Sequence, residues 1–230
     1  MLERDIIFRE VDCICITEPY LYEEQLVGIP NGYNGIYNSE SRTAIIIKNS
    51  IKFIPIQIEK DFIAINCSGE NSQTIVISIY CSPSEDLHPN LEKLEKTIAR
   101  FPNYPIIING DFNAKSPAWG KDKQDERGKN LLGCLNRLDL DIINEIHSPP
   151  TFDSTRGRSW IDLTSVKNIA RNKIMDWKVH TDISLSDHNL ITFSLDSGAK
   201  IKVTLKRWSL DSLKILEFRR DLKMLLDSIS

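Results

Sequence analysis

Ile106-Ile107-Ile108-Asn109-Gly110-Asp111-Phe112-Asn113-Ala114 is a short apolar run that ends abruptly in polar residues. Three or four apolar residues are too few for a helix, and the run reads as a buried strand. Polar groups at its exit sit at a carboxyl end, where open α/β sheets place their ligands. Asp111 and Asn113 are two apart, so their side chains lean the same way while the chain is extended. One offers a carboxylate and the other an amide, a pair suited to a hard cation and a phosphate oxygen. A second polar junction, Ser186-Asp187-His188-Asn189, supplies the partner such a pair needs.

Working outward, strand-like runs recur at Cys13 to Thr17, Thr43 to Lys48, Phe62 to Asn66, Thr74 to Tyr80, Trp160 to Val166, Val179 to Leu185 and Leu190 to Leu195. Several are rich in Ile and Val, which fit a pleated surface. Two helices interrupt them, one carrying the stripe Leu91, Leu94, Ile98 and Phe101, the other Leu131, Leu135 and Leu138. Many strands and few helices in mixed order predict an α/β fold of two packed sheets flanked by helices. Near the end, Ile215, Phe218, Leu222, Leu225 and Ile229 mark an amphipathic helix over 209–229.

Hydrophobic residues make up 41% and charged residues 27%, enough for a sizeable core and ordinary for a globular chain. No apolar run is long enough to cross a bilayer. The first twenty residues carry Glu3, Arg4, Asp5, Arg9, Glu10 and Asp12, which excludes a signal peptide there and predicts an intracellular protein. The five cysteines show no metal-binding spacing and read as small buried thiols. The net charge of -3 does not by itself announce a nucleic-acid binder. The charge is uneven, however. Residues 198–230 hold eight basic and four acidic side chains, against 21 and 28 before them. A boundary is therefore expected near Gly198, with one domain over 1–197 and a basic helical tail over 198–230.

Glu18 closes the first strand and is either a solvated carboxylate or a metal ligand. Asp162 is a carboxylate inside an apolar strand, costly to bury unless paired. His188 is the natural partner, in a pair that fixes the imidazole tautomer and stabilises the imidazolium. Tyr80 ends a strand, where its hydroxyl either reaches a phosphate or simply packs in the core.

Taken together, Gly110-Asp111-Phe112-Asn113, Ser186-Asp187-His188, Trp160-Ile161-Asp162 and the early Glu18 resemble the endonuclease/exonuclease/phosphatase superfamily. Finer features are similar to the endonuclease domain of jockey-like non-LTR retrotransposons of arthropods. They are Thr17-Glu18-Pro19-Tyr20, Ile79-Tyr80-Cys81-Ser82-Pro83, Asn113-Ala114 before Trp119-Gly120, Arg127-Gly128 and Pro150-Thr151-Phe152. The resemblance covers roughly Val11 to Leu195. It implies an endonuclease that hydrolyses DNA phosphodiesters with Mg²⁺, Mn²⁺ being the alternative, and nicks a nuclear DNA target to prime reverse transcription. It implies Glu18 and Asp187 as metal ligands, and catalytic roles for Asp111, Asn113, Tyr80, Asp162 and His188. Asp111 and His188 both remain candidates for the proton acceptor. The tail, with Lys206-Arg207-Trp208, is similar to the segment leading toward a reverse transcriptase.

Members of the family begin with an additional strand carrying an Asn near the metal or phosphate. No residue before Glu18 matches it, so the fold is expected to lack its first strand and to leave one side of Cys13–Thr17 unpaired. The other readings are a repair endonuclease acting on abasic sites, a phosphatase of small phosphoesters, and a catalytically impaired remnant or binding module derived from a mobile element.

Overall fold

A computed structural model describes residues 11–68, 73–181, 186–196 and 200–207. Two six-stranded sheets dominate it. The first contains, from edge to edge, β14 (Ile174–His180), β15 (Leu190–Asp196), β16 (Lys200–Arg207), β1 (Cys13–Thr17), β5 (Thr43–Lys48) and β4 (Tyr33–Ile36). The second contains β10 (Asp141–Ile142), β13 (Asp162–Lys167), β9 (Ile106–Asp111), β8 (Gln73–Tyr80), β7 (Phe62–Ser68) and β6 (Lys52–Ile58). Two hairpins lie outside them, β2 (Leu21–Tyr22) with β3 (Gln25–Leu26) and β11 (Phe152–Ser154) with β12 (Gly157–Ser159). Helices α1 (His88–Arg100) and α2 (Glu126–Arg137) pack on the second sheet.

Period-two alternation explains the layering. Cys13, Cys15, Ile45, Ile47, Ile63, Ile65, Ile107 and Val166 meet between the sheets. On the far face of the second sheet, Phe62, Ile75, Ile77, Ile106 and Ile108 receive Leu91, Leu94 and Ile98 of α1 and Leu131 and Leu135 of α2. Both faces of β9 are therefore covered, which is why its sequence is apolar throughout instead of alternating. The β8–β9 pair is parallel, and α1 provides the crossover that parallel neighbours require. Leu94 is fully buried in that layer, where truncation to Ala costs about 2–5 kcal/mol.

Gly110 sets the spacing of β8 and β9. A Cβ on it would lie 2.3 Å from the Ile79 carbonyl oxygen, so any larger residue would push the two strands apart. Tyr80 and Asp111, which are register partners one residue further on, would separate with them.

The expected open side of β1 is absent. β1 pairs antiparallel with β5 on one side and parallel with β16 on the other, from Cys13 opposite Val203 to Thr17 opposite Arg207. The side of β1 expected to be open is thus paired with a strand that follows it by about 190 residues. The physical reason lies in Lys200-Ile201-Lys202-Val203-Thr204-Leu205-Lys206, an alternating pattern suited to a strand. Those residues lie past the boundary expected near Gly198, yet they complete the first sheet; the helix expected over 209–229 lies outside the described residues. The strand expected over Val179 to Leu185 meets a strand that begins earlier, Ile174–His180, in which Trp177 and Val179 are the buried members of an alternation that includes exposed Asp176 and Lys178; residues 182–185 lie outside the described residues. Among the described residues, no helix is long and apolar enough to cross a membrane.

Candidate active site

The two sheets deliver their polar residues to one edge. Tyr80 ends β8, Asp111 ends β9, and Asp162 begins the antiparallel β13, so the three are side by side in register. Glu18 leaves β1, and Asp187 and His188 precede β15, both strands of the first sheet. The Tyr80 hydroxyl donates to Glu18 Oε1 at 2.5 Å and so joins the two sheets across the edge. Glu18 is in the left-handed region at φ 47°, uncommon for a residue with a Cβ, and its amide donates to the Arg42 carbonyl at 2.7 Å.

Asp162 and His188 are sealed from solvent, each with its side chain 2% exposed. Nδ1 of His188 lies 2.9 Å from Asp162 Oδ2 and 3.1 Å from Oδ1. The ligand atoms of Asp111, Asp162 and His188 all fall within 4.8 Å of one another. Burial and the neighbouring Asp162 push the Asp111 carboxyl from its ordinary 3.8 up to about 7, while His188 and the hydrogen bonds from Asn113 act the other way. Burial alone would push the His188 imidazole down. The carboxylates of Asp162, Asp111 and Asp187 outweigh it, and its pKa lies above the ordinary 6.5. Burial, helped by Asp111, also pushes the Tyr80 phenol up to about 12, so at neutral pH it is a hydroxyl donor.

Asn113 follows at φ 46° and folds back on Asp111. Its backbone N–H donates to Oδ1 at 2.9 Å and its side-chain amide to Oδ2 at 3.1 Å. Both contacts follow from the two-residue spacing of the Asp111-Phe112-Asn113 turn. Glu18, Tyr80, Asp111, Asn113, Asp162 and His188 are thus linked along one edge, and Asp187 adjoins His188 in the chain.

Other residues brace the site, and none of them has a role legible in the sequence: Pro150-Thr151-Phe152 enters only as a feature of the resemblance. Thr151 Oγ1 accepts the N–H groups of Ile161 and Asp162, both at 3.1 Å. The Phe152 ring stands edge-on to the His188 imidazole at 4.9 Å, and the Asn189 amide donates to the Pro150 carbonyl. Pro150-Thr151-Phe152 is therefore the brace of the Asp162–His188 pair. Arg42 lies against the Tyr80 ring and donates to both Asp61 and Glu85.

Two sets of acidic side chains among the described residues bear on where a cation could sit. Asp111, Asp162 and His188 form a group able to hold a metal, but they already satisfy one another, and an ion among them would break the Asp162–His188 bond. Glu18 and Asp187 keep partial contact with solvent and offer carboxylate oxygens, as a hard cation that retains waters requires.

Two facing mixed sheets with helices outside and an Asp, Asn, His and Glu edge define the endonuclease/exonuclease/phosphatase architecture. Residues 74–192 match the endonuclease-reverse transcriptase family, and the chain belongs to it as a non-LTR retrotransposon-type nuclease domain. The chain is 30% identical over 169 residues to the Pol polyprotein of the type-1 retrotransposable element R1 of Bradysia coprophila. It is 25% identical over 189 residues to a 115 kDa protein of the element R1DM of Drosophila melanogaster. The matches take in 67% and 77% of the chain but only 17% and 18% of those relatives. Among solved structures, the endonuclease domain of TRAS1, a telomere-specific non-LTR retrotransposon, superposes with a TM-score of 0.76 at 26% identity, covering 86% of this chain and 92% of that one. The AP endonuclease LMAP of Leishmania major shares the fold, with a TM-score of 0.63 at 13% identity over 81% of this chain and 79% of that one.

Proposed function

We propose that the chain hydrolyses one phosphodiester bond in a DNA strand, as the target-nicking part of a larger protein that copies RNA into DNA. The observation that carries this reading is the Asp111–Asp162–His188 group, buried at a shared sheet edge beside Glu18 and Tyr80. Its acid, with a pKa of about 7, is matched to proton transfer near neutral pH.

In this reading Asp111 takes a proton from the attacking water, whose oxygen forms the new bond to phosphorus. Asn113 holds the Asp111 carboxylate in place and the Tyr80 hydroxyl holds Glu18; either binds a phosphate oxygen by exchanging one of these acceptors for it. His188, whose imidazolium form Asp162 favours, faces the charge that builds on the phosphoryl group. The P–O3′ bond breaks, because a primer for reverse transcription must end in a free 3′-hydroxyl. Mg²⁺ held by Glu18 with Asp187, for which Mn²⁺ can stand in, would add charge stabilisation at the phosphoryl and leaving oxygens. A chromosomal target makes the nucleus the place of action. Residues 1–197 with β16 form the nuclease, and the rest of the basic tail leads toward the polymerase.

Relaxation of supercoiled plasmid tests the reading. Open circles should accumulate with Mg²⁺ and not with EDTA, and Asp111→Asn should slow nicking by roughly 10²–10⁴-fold, the scale of general acid–base catalysis. Metal-independent nicking, or equal nicking by Asp111→Asn, would refute it.

A further inference from the structure

Arg127, in the first turn of α2, has no part in the chemistry described so far. Its guanidinium makes four hydrogen bonds, all to backbone carbonyls. Nε donates to Asn113 at 2.8 Å, Nη2 to Phe112 at 3.0 Å and to Cys81 at 3.3 Å, and Nη1 to Glu85 at 2.8 Å. The four carbonyls belong to two segments distant in sequence, 112–113 leaving β9 and 81–85 leaving β8. Those segments frame Asp111. No carboxylate is among the partners of Arg127 in the described residues.

Serving four carbonyls from one partly buried cation is a task for the rigid fork of arginine, and the ammonium of lysine cannot reach them all. The turn it holds is strained, since Asn113 sits at φ 46°. The Asn113 amide donates to the same Cys81 carbonyl, at 3.2 Å, and to Asp111 Oδ2. Arg127 and Asn113 thus share one acceptor, and a shift of the guanidinium moves the group that steers Asp111. The backbone fixes where Arg127 stands. A Cβ at Gly128 would lie 1.8 Å from the Lys115 carbonyl oxygen, and Asp125 caps the helix on the Gly128 N–H at 2.6 Å.

We propose that Arg127 is a positioning residue. It holds the Asn113 turn, and through the Asn113 amide it orients the Asp111 carboxylate toward the attacking water without touching DNA. This rests on the nicking reading above.

The test is a double-mutant comparison of plasmid nicking by wild type, Arg127→Lys, Asn113→Ala and the two combined. Arg127→Lys should lower kcat by about 10- to 100-fold, the scale of a misplaced reacting group, and leave KM for DNA within about threefold. Its melting temperature should fall by no more than about 4 °C. The combined variant should be no slower than Asn113→Ala alone. Losses that multiply in the combined variant would overturn the proposal, as would a rise in KM at unchanged kcat, which would mean a direct DNA contact. A lysine variant that fails to fold would show only a structural staple and would also overturn it. If the wild type itself does not nick, the functional reading falls and takes this one with it.

Discussion

Asp162 meets His188 at 2.9 Å through Nδ1, with both side chains closed off from water. The bond fixes which ring nitrogen is engaged. The pair is braced from behind by Thr151 and edge-on by Phe152.

Asp162→Asn keeps the shape and removes the charge. Nicking should fall by roughly 10²–10⁴-fold with little change in KM, because the wrong tautomer is held and the imidazolium is no longer favoured. Steady-state nicking alongside circular dichroism checks it. A full rate would reduce the pair to a structural contact.

The pH response has a definite sign. Asp111 must be ionised to accept a proton, so kcat/KM should climb on the acid side with an apparent pKa of about 7. Stability of the metal-free protein should run the other way. The folded Asp111 holds its proton from its ordinary 3.8 up to about 7, so the folded state binds more protons there and stability falls as pH rises through that window. His188, whose pKa is raised, adds stability that is fully present below its unfolded value near 6.5 and is lost as pH rises through the folded one. Melting in EDTA from pH 5 to 8 should show a steady decline, and Asp111→Asn should flatten it.

Tyr80→Phe removes the hydroxyl that holds Glu18 Oε1. The Mg²⁺ concentration for half-maximal nicking should rise several-fold, about one charge-assisted hydrogen bond's worth of orientation. A titration of rate against Mg²⁺ decides it, and an unchanged midpoint would separate Glu18 from the cation.

Thr151→Val leaves the N–H groups of Ile161 and Asp162 without their buried acceptor. Each unmatched group costs about 1–3 kcal/mol, so melting should drop by several degrees and nicking with it. Differential scanning calorimetry measures the first and the plasmid assay the second.

A chain stopped after Ser197 lacks β16 and bares one side of β1. It should melt well below the full chain or aggregate, whereas a chain stopped after Arg207 should retain the first sheet. Equal melting temperatures would show that the β1–β16 pairing contributes nothing.

How much of this was legible in the sequence follows from where the signals are local. Asp111 and Asn113 were readable because an apolar strand ends beside them. Asp162 and His188 were readable because a carboxylate in an apolar strand needs a partner. Arg42 was not, and Arg127 was marked only as part of the Arg127-Gly128 resemblance without a role, since a surface-type arginine looks the same whether it faces water or a set of backbone carbonyls. Thr151 matters through one hydroxyl, whose role the resemblance of Pro150-Thr151-Phe152 did not specify. The strand at 200–207 was visible as alternation and yet misread, because its lysines and its place beyond a charge boundary suggested a linker; pairing with β1 is a long-range fact that no local pattern contains. β6 was missed because Pro55 and a register shift between Pro55 and Gln57 interrupt its alternation on a partly exposed edge.

The pairing of Cys13 with Val203 also sets an order of events during synthesis. The second sheet has all its strands once Lys167 has left the ribosome, and it can assemble early. β1 leaves first of all the described strands and gains β5 early, but it waits for about 190 residues before its second neighbour exists. Until then the nascent domain carries a bare hydrogen-bonding rim at the middle of its first sheet. Contacts this distant in sequence form slowly, so the docking of the β15–β16 hairpin onto β1 is expected late. The site edge becomes rigid only with that docking, and the nuclease is therefore expected to mature after its translation has passed Arg207.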